Sequence, residues 1–311
     1  MATLQDQTKE GPDRHRTTRP VVGVIVAVVL AGVFLFHWRE PVYLGKPAGE
    51  WIEELGDNST AAAQALREMG LAAVAPLIQG LQRKPARWLD AYAFALNHSP
   101  RFLKARLAAH YLNLARRQMR IPRVRAAAAQ TLGDLGPAAG KAAPALVKAL
   151  AEQDATLRLN AAFALGKIRA SPDLAVPALS ELLHDRNEEV RMYAAIALKK
   201  FGAQAAPAVP GLITALNDRS WQVRERAALA LGALGRNRPG VVAALERAML
   251  DQHRFVRSSA ATALASLAPQ TQSARAALEQ ARYDPDAEVR YSAGLAMDRI
   301  DSETSGRNAL K

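Results

Sequence analysis

Residues 223–235 read VRERAALALGALG, and a closely similar stretch returns at a constant interval along most of the chain. Three residues after the arginine of each copy comes an alanine, and seven residues after it comes a large apolar residue. The constant period, roughly 33 residues, predicts a repeat array in which each unit contacts only its neighbours. The phased arginines are Arg125, Arg158, Arg191, Arg224, Arg257 and Arg290.

Each unit is predicted to hold two helices. In the unit that begins at Leu157, apolar residues recur at the spacing of one helical face. A second phased leucine indicates the second helix, and in three units a proline stands two residues before it, where the first turn of a helix tolerates proline. We therefore expect an all-α solenoid. The second leucines are Leu146, Leu179, Leu212, Leu245 and Leu278.

These stretches, with residues 189–198 (EVRMYAAIAL) as a second example, resemble HEAT-like repeats of the short, phycobilisome-lyase type. The resemblance covers roughly residues 58–300 and implies an all-α, HEAT-like α-solenoid of roughly eight two-helix units. Leu66 lies two periods before Leu132, so we expect one degenerate unit at about residues 85–120 that kept the phase. Residues 301–311 are polar and are predicted to form a disordered tail.

The N-terminal part contains an apolar stretch, VVGVIVAVVLAGVFLF at residues 21–36. Extended to residue 38, it would form a helix of about 27 Å, enough to span a bilayer. We predict an uncleaved signal anchor at 21–38 and keep a cleaved signal peptide as the alternative. More basic residues precede the span than follow it, which places segment 1–20 in the cytoplasm and the solenoid on the extracytoplasmic, periplasmic side.

Residues 39–57 are predicted to link the anchor to the array and to cap its first unit, with Trp51 and Ile52 packing on that unit. Their Y-x-G-K…W-I pattern resembles the linking segment of uncharacterised membrane-anchored bacterial HEAT-repeat proteins.

Most of the net charge of +12 lies in one segment. Residues 83–125 contain eleven basic residues, a single acid (Asp90) and five aromatic residues, and so carry a net charge of +10. We predict a binding surface for a protein partner here, with an anionic lipid as a further possibility and a merely solvated face as the alternative. No motif for nucleic acid accompanies the charge, so a nucleic-acid partner is not expected. The candidate residues are Arg101, Lys104, Arg106, Arg116, Arg117, Arg120 and Arg123.

The six phased arginines are predicted to form a structural ladder that satisfies loop carbonyl groups, rather than a row of ligand-binding groups. The resemblance to HEAT-like families implies that turn acids share this ladder. Aspartates recur in phase in the turn that closes a unit, and Asp154, Asn187 and Asp286, each four residues before one of the arginines, could join the ladder as well. The phased turn aspartates are Asp185, Asp218, Asp251 and Asp284.

Catalytic patterns are scarce in the sequence. None of the six histidines is followed by glutamate, there is no cysteine, and residues 136–142 (GPAAGKA) miss the spacing of a phosphate loop. We expect no catalytic residue, metal or cofactor. The favoured function is a non-catalytic, membrane-anchored scaffold that binds another macromolecule. The alternatives are a bilin-lyase-like enzyme or accessory, and a binder of anionic lipid or nucleic acid through residues 83–125.

Overall fold

The computed structural model describes residues 40–85, 88–99, 101–236, 238, 240–267 and 272–309. The predicted anchor at 21–38 and the basic segment before it lie outside these ranges. Within them, every helix is too short or too polar to cross a bilayer.

A small cap precedes the repeats. Strands β1 (Val42–Tyr43) and β2 (Lys46–Pro47) pair antiparallel around a two-residue turn in which both residues have positive φ, as a tight hairpin requires. Helix α1 (Ala48–Leu55) follows and buries Ile52 against the first repeat. Trp51 packs beside it, and its indole N–H donates to the carbonyl of Tyr43 at 3.2 Å.

Fourteen further helices follow in the described part of the chain. In chain order they are α2 (Thr60–Glu68), α3 (Leu71–Gln82), α4 (Trp88–Asn97), α5 (Arg101–Asp134), α6 (Ala143–Ala149), α7 (Ala155–Ile168), α8 (Pro172–Glu181), α9 (Glu188–Phe201), α10 (Val209–Ala215), α11 (Trp221–Leu234), α12 (Val241–Ala248), α13 (Arg254–Leu267), α14 (Gln272–Ala281) and α15 (Ala287–Ala309). Short 3₁₀ segments at Gly136–Ala142, Leu182–His184 and Gly202–Ala208 connect some of them.

The helices stack as an α-solenoid. The first helices of successive units pack side by side, and the alanines and glycines of the repeat allow their backbones to approach closely. A Cβ atom added to Gly166 would lie 2.9 Å from the Cα of Ala197, and one added to Gly232 would lie 2.7 Å from the Cα of Ala263. A larger side chain at either glycine would therefore force neighbouring units apart.

The last helix is longer than expected. Helix α15 continues through Ala309, so the prediction of a disordered tail at 301–311 is wrong for residues 301–309. Residues 289–300 already form a helix against α13 and α14, and each further residue adds a hydrogen bond without a new nucleation cost. The ion pair between Arg275 and Asp301 at 2.5 Å holds the first turn of this extension.

The predicted degenerate unit is absent from the described stack. Helix α3 of the first unit packs directly against the C-terminal half of α5: a Cβ added to Gly80 would lie 3.7 Å from the Cβ of Ala128 and 4.0 Å from Val124. Arg67 of α2 pairs with Asp134 of α5 at 3.2 Å. One continuous apolar core runs from Ala48 to Ile300, and it contains no described residue between Leu81 and Val124. The first unit is thus the direct neighbour of the unit formed by residues 121–149.

The segment 85–120 is named the arm below, and its described helices, α4 and the N-terminal part of α5, pack together outside the stack. Helix α4 packs chiefly against α5. The N-terminal part of α5, residues 101–120, extends the first helix of a regular unit by about 30 Å. The described residues therefore hold six two-helix units and a final single helix, not roughly eight units.

Leu66 and Leu132 are separated by two whole periods because two changes in the length of the chain between them happen to add up to one period. In the later units a constant short interval separates the second phased leucine from the next aliphatic residue, as from Leu179 to Val190. The equivalent interval in the first unit, from the buried Leu77 of α3 to Val124, is longer by the full length of the arm. The connection between the two helices of the first unit is three residues shorter than in the unit of Leu165 and Leu179, so the total shift equals one period.

Candidate functional site

The phased arginines link successive units. The Nε and Nη2 atoms of Arg191 donate to the two carboxylate oxygens of Asp218 at 2.7 and 2.8 Å, and its Nη1 donates to the carbonyl of Asp185 at 2.9 Å. Both side chains are nearly buried. The same forked geometry recurs at the same sequence separation in three other pairs: Arg158 with Asp185, Arg224 with Asp251, and Arg257 with Asp284.

The expected ladder of arginines and turn acids is confirmed, but Asp154, Asn187 and Asp286 do not take part in it. The carboxylate of Asp154 accepts from the backbone N–H of Thr156, and the amide oxygen of Asn187 accepts from that of Val190, so both cap helices. Asp286 accepts from the backbone N–H of Glu288 and pairs with Arg254. Each of the four paired arginines instead reaches forward to the aspartate in the turn of the next unit.

Opposite charges hold each pair in its ionised form. Burial raises the pKa of the Asp218 carboxyl, but the hydrogen bonds from Arg191 and from the backbone N–H of Ser220 act in the opposite direction and outweigh burial. The pKa of Asp218 therefore lies below its usual value. The hydrogen bond to Asp218 in turn raises the pKa of Arg191. The guanidinium groups of the four paired arginines thus donate their hydrogen bonds within the array. Among the described residues, these groups do not form a row of free hydrogen-bond donors for a ligand.

The ladder changes at both ends of the array. Arg125, at the base of the arm, makes a single 2.6 Å bond to Glu152 and donates to the carbonyl of Leu81 at 2.9 Å. Arg290 donates to the carbonyls of Asp284 and Pro285. Within the described ranges, no unit follows Arg290 to supply a carboxylate.

Arg120 belongs to the scaffold rather than to a free surface. It donates to the carbonyl of Glu53 at 2.8 Å and pairs with Asp57, which fastens the base of the arm to the end of α1. Among the described candidate binding residues, Arg120 is therefore the one engaged by contacts within the protein. Local patterns in the sequence could not indicate that α1 lies beside the arm, because the two segments are far apart along the chain.

The other basic residues of the candidate surface divide into two groups. The side chains of Arg101 and Arg106 lie outside the described part of the structure. Those of Lys104, Arg116, Arg117 and Arg123 are exposed, and within the described residues none of the four has an ion-pair partner. These four cations are available to a binding partner.

Large apolar side chains of the arm are also exposed. Trp88 is 53% exposed, Phe94 68%, Leu112 54% and Met119 75%, while Ala115 is the only buried hydrophobic residue among the described side chains of the arm. The ring of Tyr92 lies against those of Trp88 and Tyr111, with centroid distances of 6.2 and 5.7 Å, but these contacts do not close a core. Exposed apolar groups gathered among cations are typical of an interaction surface.

Sequence reasoning found the charge of this surface but missed its pattern. Leu112, Arg116, Met119 and Arg123 follow one another at spacings of four, three and four residues, and all four are exposed. On a helix this spacing makes a single stripe in which apolar and cationic side chains alternate. The spacing was visible in the sequence, but only the structure shows that this face of α5 lies outside the array.

A separate groove lies between the second helices α12 and α14. It has a volume of about 680 Å³, and the exposed Leu250 and Tyr283 stand at its rim. Among the described residues there is no group of three or more side chains that could hold a metal ion.

Two family profiles match the array. A profile for HEAT repeats matches residues 143–209 and 209–298, and one for the PBS lyase HEAT-like repeat matches residues 124–152. The chain belongs to the HEAT-repeat family. These matches agree with the stacked helices of the structure, and they begin where the arm ends.

Solved structures that are similar to the chain include engineered and natural proteins. An engineered protein is 25% identical with a TM-score of 0.47, covering 58% of this chain and 91% of that one. A designed armadillo repeat protein in complex with the peptide (KR)4 is 18% identical with a TM-score of 0.48, covering 69% and 100%. The complex of CpcE and CpcF of phycocyanin lyase from a Nostoc species is 24% identical with a TM-score of 0.43, covering 50% and 98%. No curated protein sequence matches the chain.

Proposed function

We propose that this HEAT-repeat protein is a non-catalytic, membrane-anchored scaffold that binds a protein partner through its arm. The observation that carries the proposal is the contrast between the array and the arm. The regular units bury their apolar faces against one another and pair their ladder charges internally. The arm presents unpaired cations and exposed apolar side chains from the same rigid support.

The distribution of charge supports the arm as the contact surface. The segment 83–125 carries +10 of the net charge of +12, so the remaining residues are nearly neutral. Arg83, Arg120 and Arg125 of this segment pair with acids of the cap and the array, and the arm itself, residues 85–120, carries a net charge of +6. Clustered like charges repel one another and destabilise the fold, and the stacking of the array does not require the unpaired ones. A partner with the opposite charge offsets that repulsion and gains in rate of association.

Anchoring rests on the apolar stretch Val21–Phe36 and on the excess of basic residues before it. In this proposal segment 1–20 stays in the cytoplasm, and the array lies on the periplasmic side. A reporter fused after Lys311 that is active only outside the cytoplasm should therefore be active. Activity of a reporter that works only in the cytoplasm would reverse the orientation.

Charge reversal at the free arginines Arg116 and Arg117 of the arm, and at Arg123 beside its base, tests the function of this surface. The variant Arg116→Glu/Arg117→Glu/Arg123→Glu should lose the proteins that the full-length wild type captures from a membrane extract of the source organism, with helical content unchanged. Captured proteins should also be released as salt shortens the Debye length to about 8 Å and below. Quantitative mass spectrometry of the captured proteins is the measurement.

Lys141→Glu/Lys148→Glu is the matched control, because both lysines are exposed on a regular unit. This control should capture the same proteins as the wild type. If the arm variant also captures them with the same salt dependence, the arm is a solvated face. The groove beside Leu250 and Tyr283 is then the surface to examine.

A further inference from the structure

The exposed stripe of α5 has a definite chemical pattern. Leu112 and Met119 are seven residues apart and therefore lie on the same side of the helix, two turns from one another. Arg116 and Arg123 follow them at intervals of four residues on the same side. A surface of this kind offers two apolar contacts and two cationic contacts along about 17 Å of helix.

The arm also lacks a helix that would complete its packing. Two helices packed together cannot enclose a core, and here the described side chains bury only Ala115. A third helix laid along the stripe would cover Leu112 and Met119, as an amphipathic helix does when it fills a groove. Carboxylates on that helix at heptad spacing would meet Arg116 and Arg123.

From this pattern we infer that the arm binds an acidic amphipathic helix of a protein partner, with apolar residues two turns apart and carboxylates on the same face. The inference rests on the proposed function, since it names the partner of the same surface. An anionic bilayer would attract the same cations. The position of the arm relative to the predicted anchor distinguishes a protein partner from a lipid surface.

The arm extends away from the place where the predicted anchor joins the array. Glu40 accepts from the backbone N–H of Gly49 at the start of α1, and Tyr43 donates to Glu68 at the end of α2. The end of α5 lies at this same edge, since Arg67 pairs with Asp134.

The base of the arm lies at the opposite edge of the array. Arg120 binds Glu53 and Asp57 at the far end of α1, about 12 Å from its start. From Arg120 helix α5 runs about 30 Å further away from that edge. An anchor that ends at residue 38 leaves only a short link to Glu40 and holds the edge of Glu40 near the bilayer. The arm would then extend away from the membrane that holds the anchor, which favours a protein as the occupant of the stripe.

A charge-swap experiment tests the inference. Full-length protein in phosphatidylcholine nanodiscs is titrated into a labelled acidic peptide of about five helical turns, with leucines two turns apart and glutamates on the same helical face. A peptide of the same composition in scrambled order and a peptide with lysine in place of glutamate are the comparisons, and fluorescence anisotropy gives the Kd. The protein variants are Arg116→Glu/Arg123→Glu and the control Lys141→Glu/Lys148→Glu.

Wild type and control should bind the acidic peptide at least about tenfold more tightly than the scrambled one. The Arg116→Glu/Arg123→Glu variant should lose the acidic peptide and gain the lysine peptide. A gain of binding cannot come from misfolding, so the swap separates recognition from loss of structure. Equal binding of ordered and scrambled peptides, or no binding of the acidic peptide, overturns the inference.

Phosphatidylglycerol vesicles added to the same nanodisc-held protein test the lipid alternative by flotation. Flotation that depends on Arg116 and Arg123, without binding of the acidic peptide, would assign the stripe to a lipid surface. If capture of proteins from the extract depends on the arm but the acidic peptide does not bind, the inference of a helical partner is wrong and the proposed function stands. If capture does not depend on the arm, the proposed function fails first.

Discussion

Replacement of Asp218 by alanine is expected to destabilise the array by about 3–5 kcal/mol, the usual cost of breaking one buried ion pair from a single side. Arg191 would keep its charge while losing both carboxylate bonds in a nearly buried position. The turn that precedes α11 would also lose the acceptor of the backbone N–H of Ser220. Urea unfolding followed by circular dichroism measures the loss.

Arg282→Ala is the matched control, because its pair with Glu279 is exposed and is expected to contribute about 0–1 kcal/mol. The double variant Arg191→Leu/Asp218→Leu should recover part of the loss, since it leaves no unpaired buried charge. A loss no larger than that of the control would show that the ladder does not hold the units together.

The difference in the free energy of unfolding between wild type and Asp218→Ala is expected to depend on pH. The folded-state pKa of Asp218 is lowered, so the stability contributed by its ionised carboxyl is fully present above its unfolded-state pKa of about 3.9. That contribution is lost as pH falls through the lower pKa of the folded state. The gap between wild type and Asp218→Ala should therefore be constant near neutral pH and narrow as pH falls below about 4.

Deletion of residues 85–120 is expected to abolish capture of the partner while leaving the array folded. The deletion restores between Leu77 and Val124 the short interval that the later units show. The arm contributes almost no buried apolar surface, and its main tie to the array is Arg120, so the free energy of unfolding should fall by only about 1–2 kcal/mol. Urea unfolding and the extract capture used for the charge-reversal variant are the measurements.

A stacked unit would respond differently to the same deletion. Its removal would break two interfaces with its neighbours, and repeat arrays draw much of their stability from such interfaces. If the deletion variant unfolds, or if its free energy of unfolding falls by several kcal/mol, residues 85–120 are a stacked unit of the array.

The sequence predicted the regular units well because their signal is local. The apolar stripe from Leu157 to Ile168 and the phased second leucines act within one unit, and the structure has two helices there. The phase also indicated the turn aspartates, but the one with which each arginine pairs was beyond such reasoning. Asp218 belongs to the turn of the unit after that of Arg191, and only the stacking of the two units shows that their side chains meet.

The arm shows how periodicity can mislead. The interval between Leu66 and Leu132 equals two periods, and repeat logic assigns one unit to each period. Here a connection shortened by three residues and the insertion of residues 85–120 together add one whole period. Burial resolves the ambiguity, since a stacked unit must supply core residues and the described side chains of the arm bury only Ala115.

Hydrogen exchange along helix α5 tests the central claim most directly, because one continuous helix should contain two regions of very different protection. Backbone amides of residues 124–134, which pack within the array, should exchange slowly, near the rate set by unfolding of their unit. Amides of residues 104–118 should exchange much faster, with the change near Arg120. Equally slow exchange along the whole of α5 would place residues 85–120 inside the array and contradict the account.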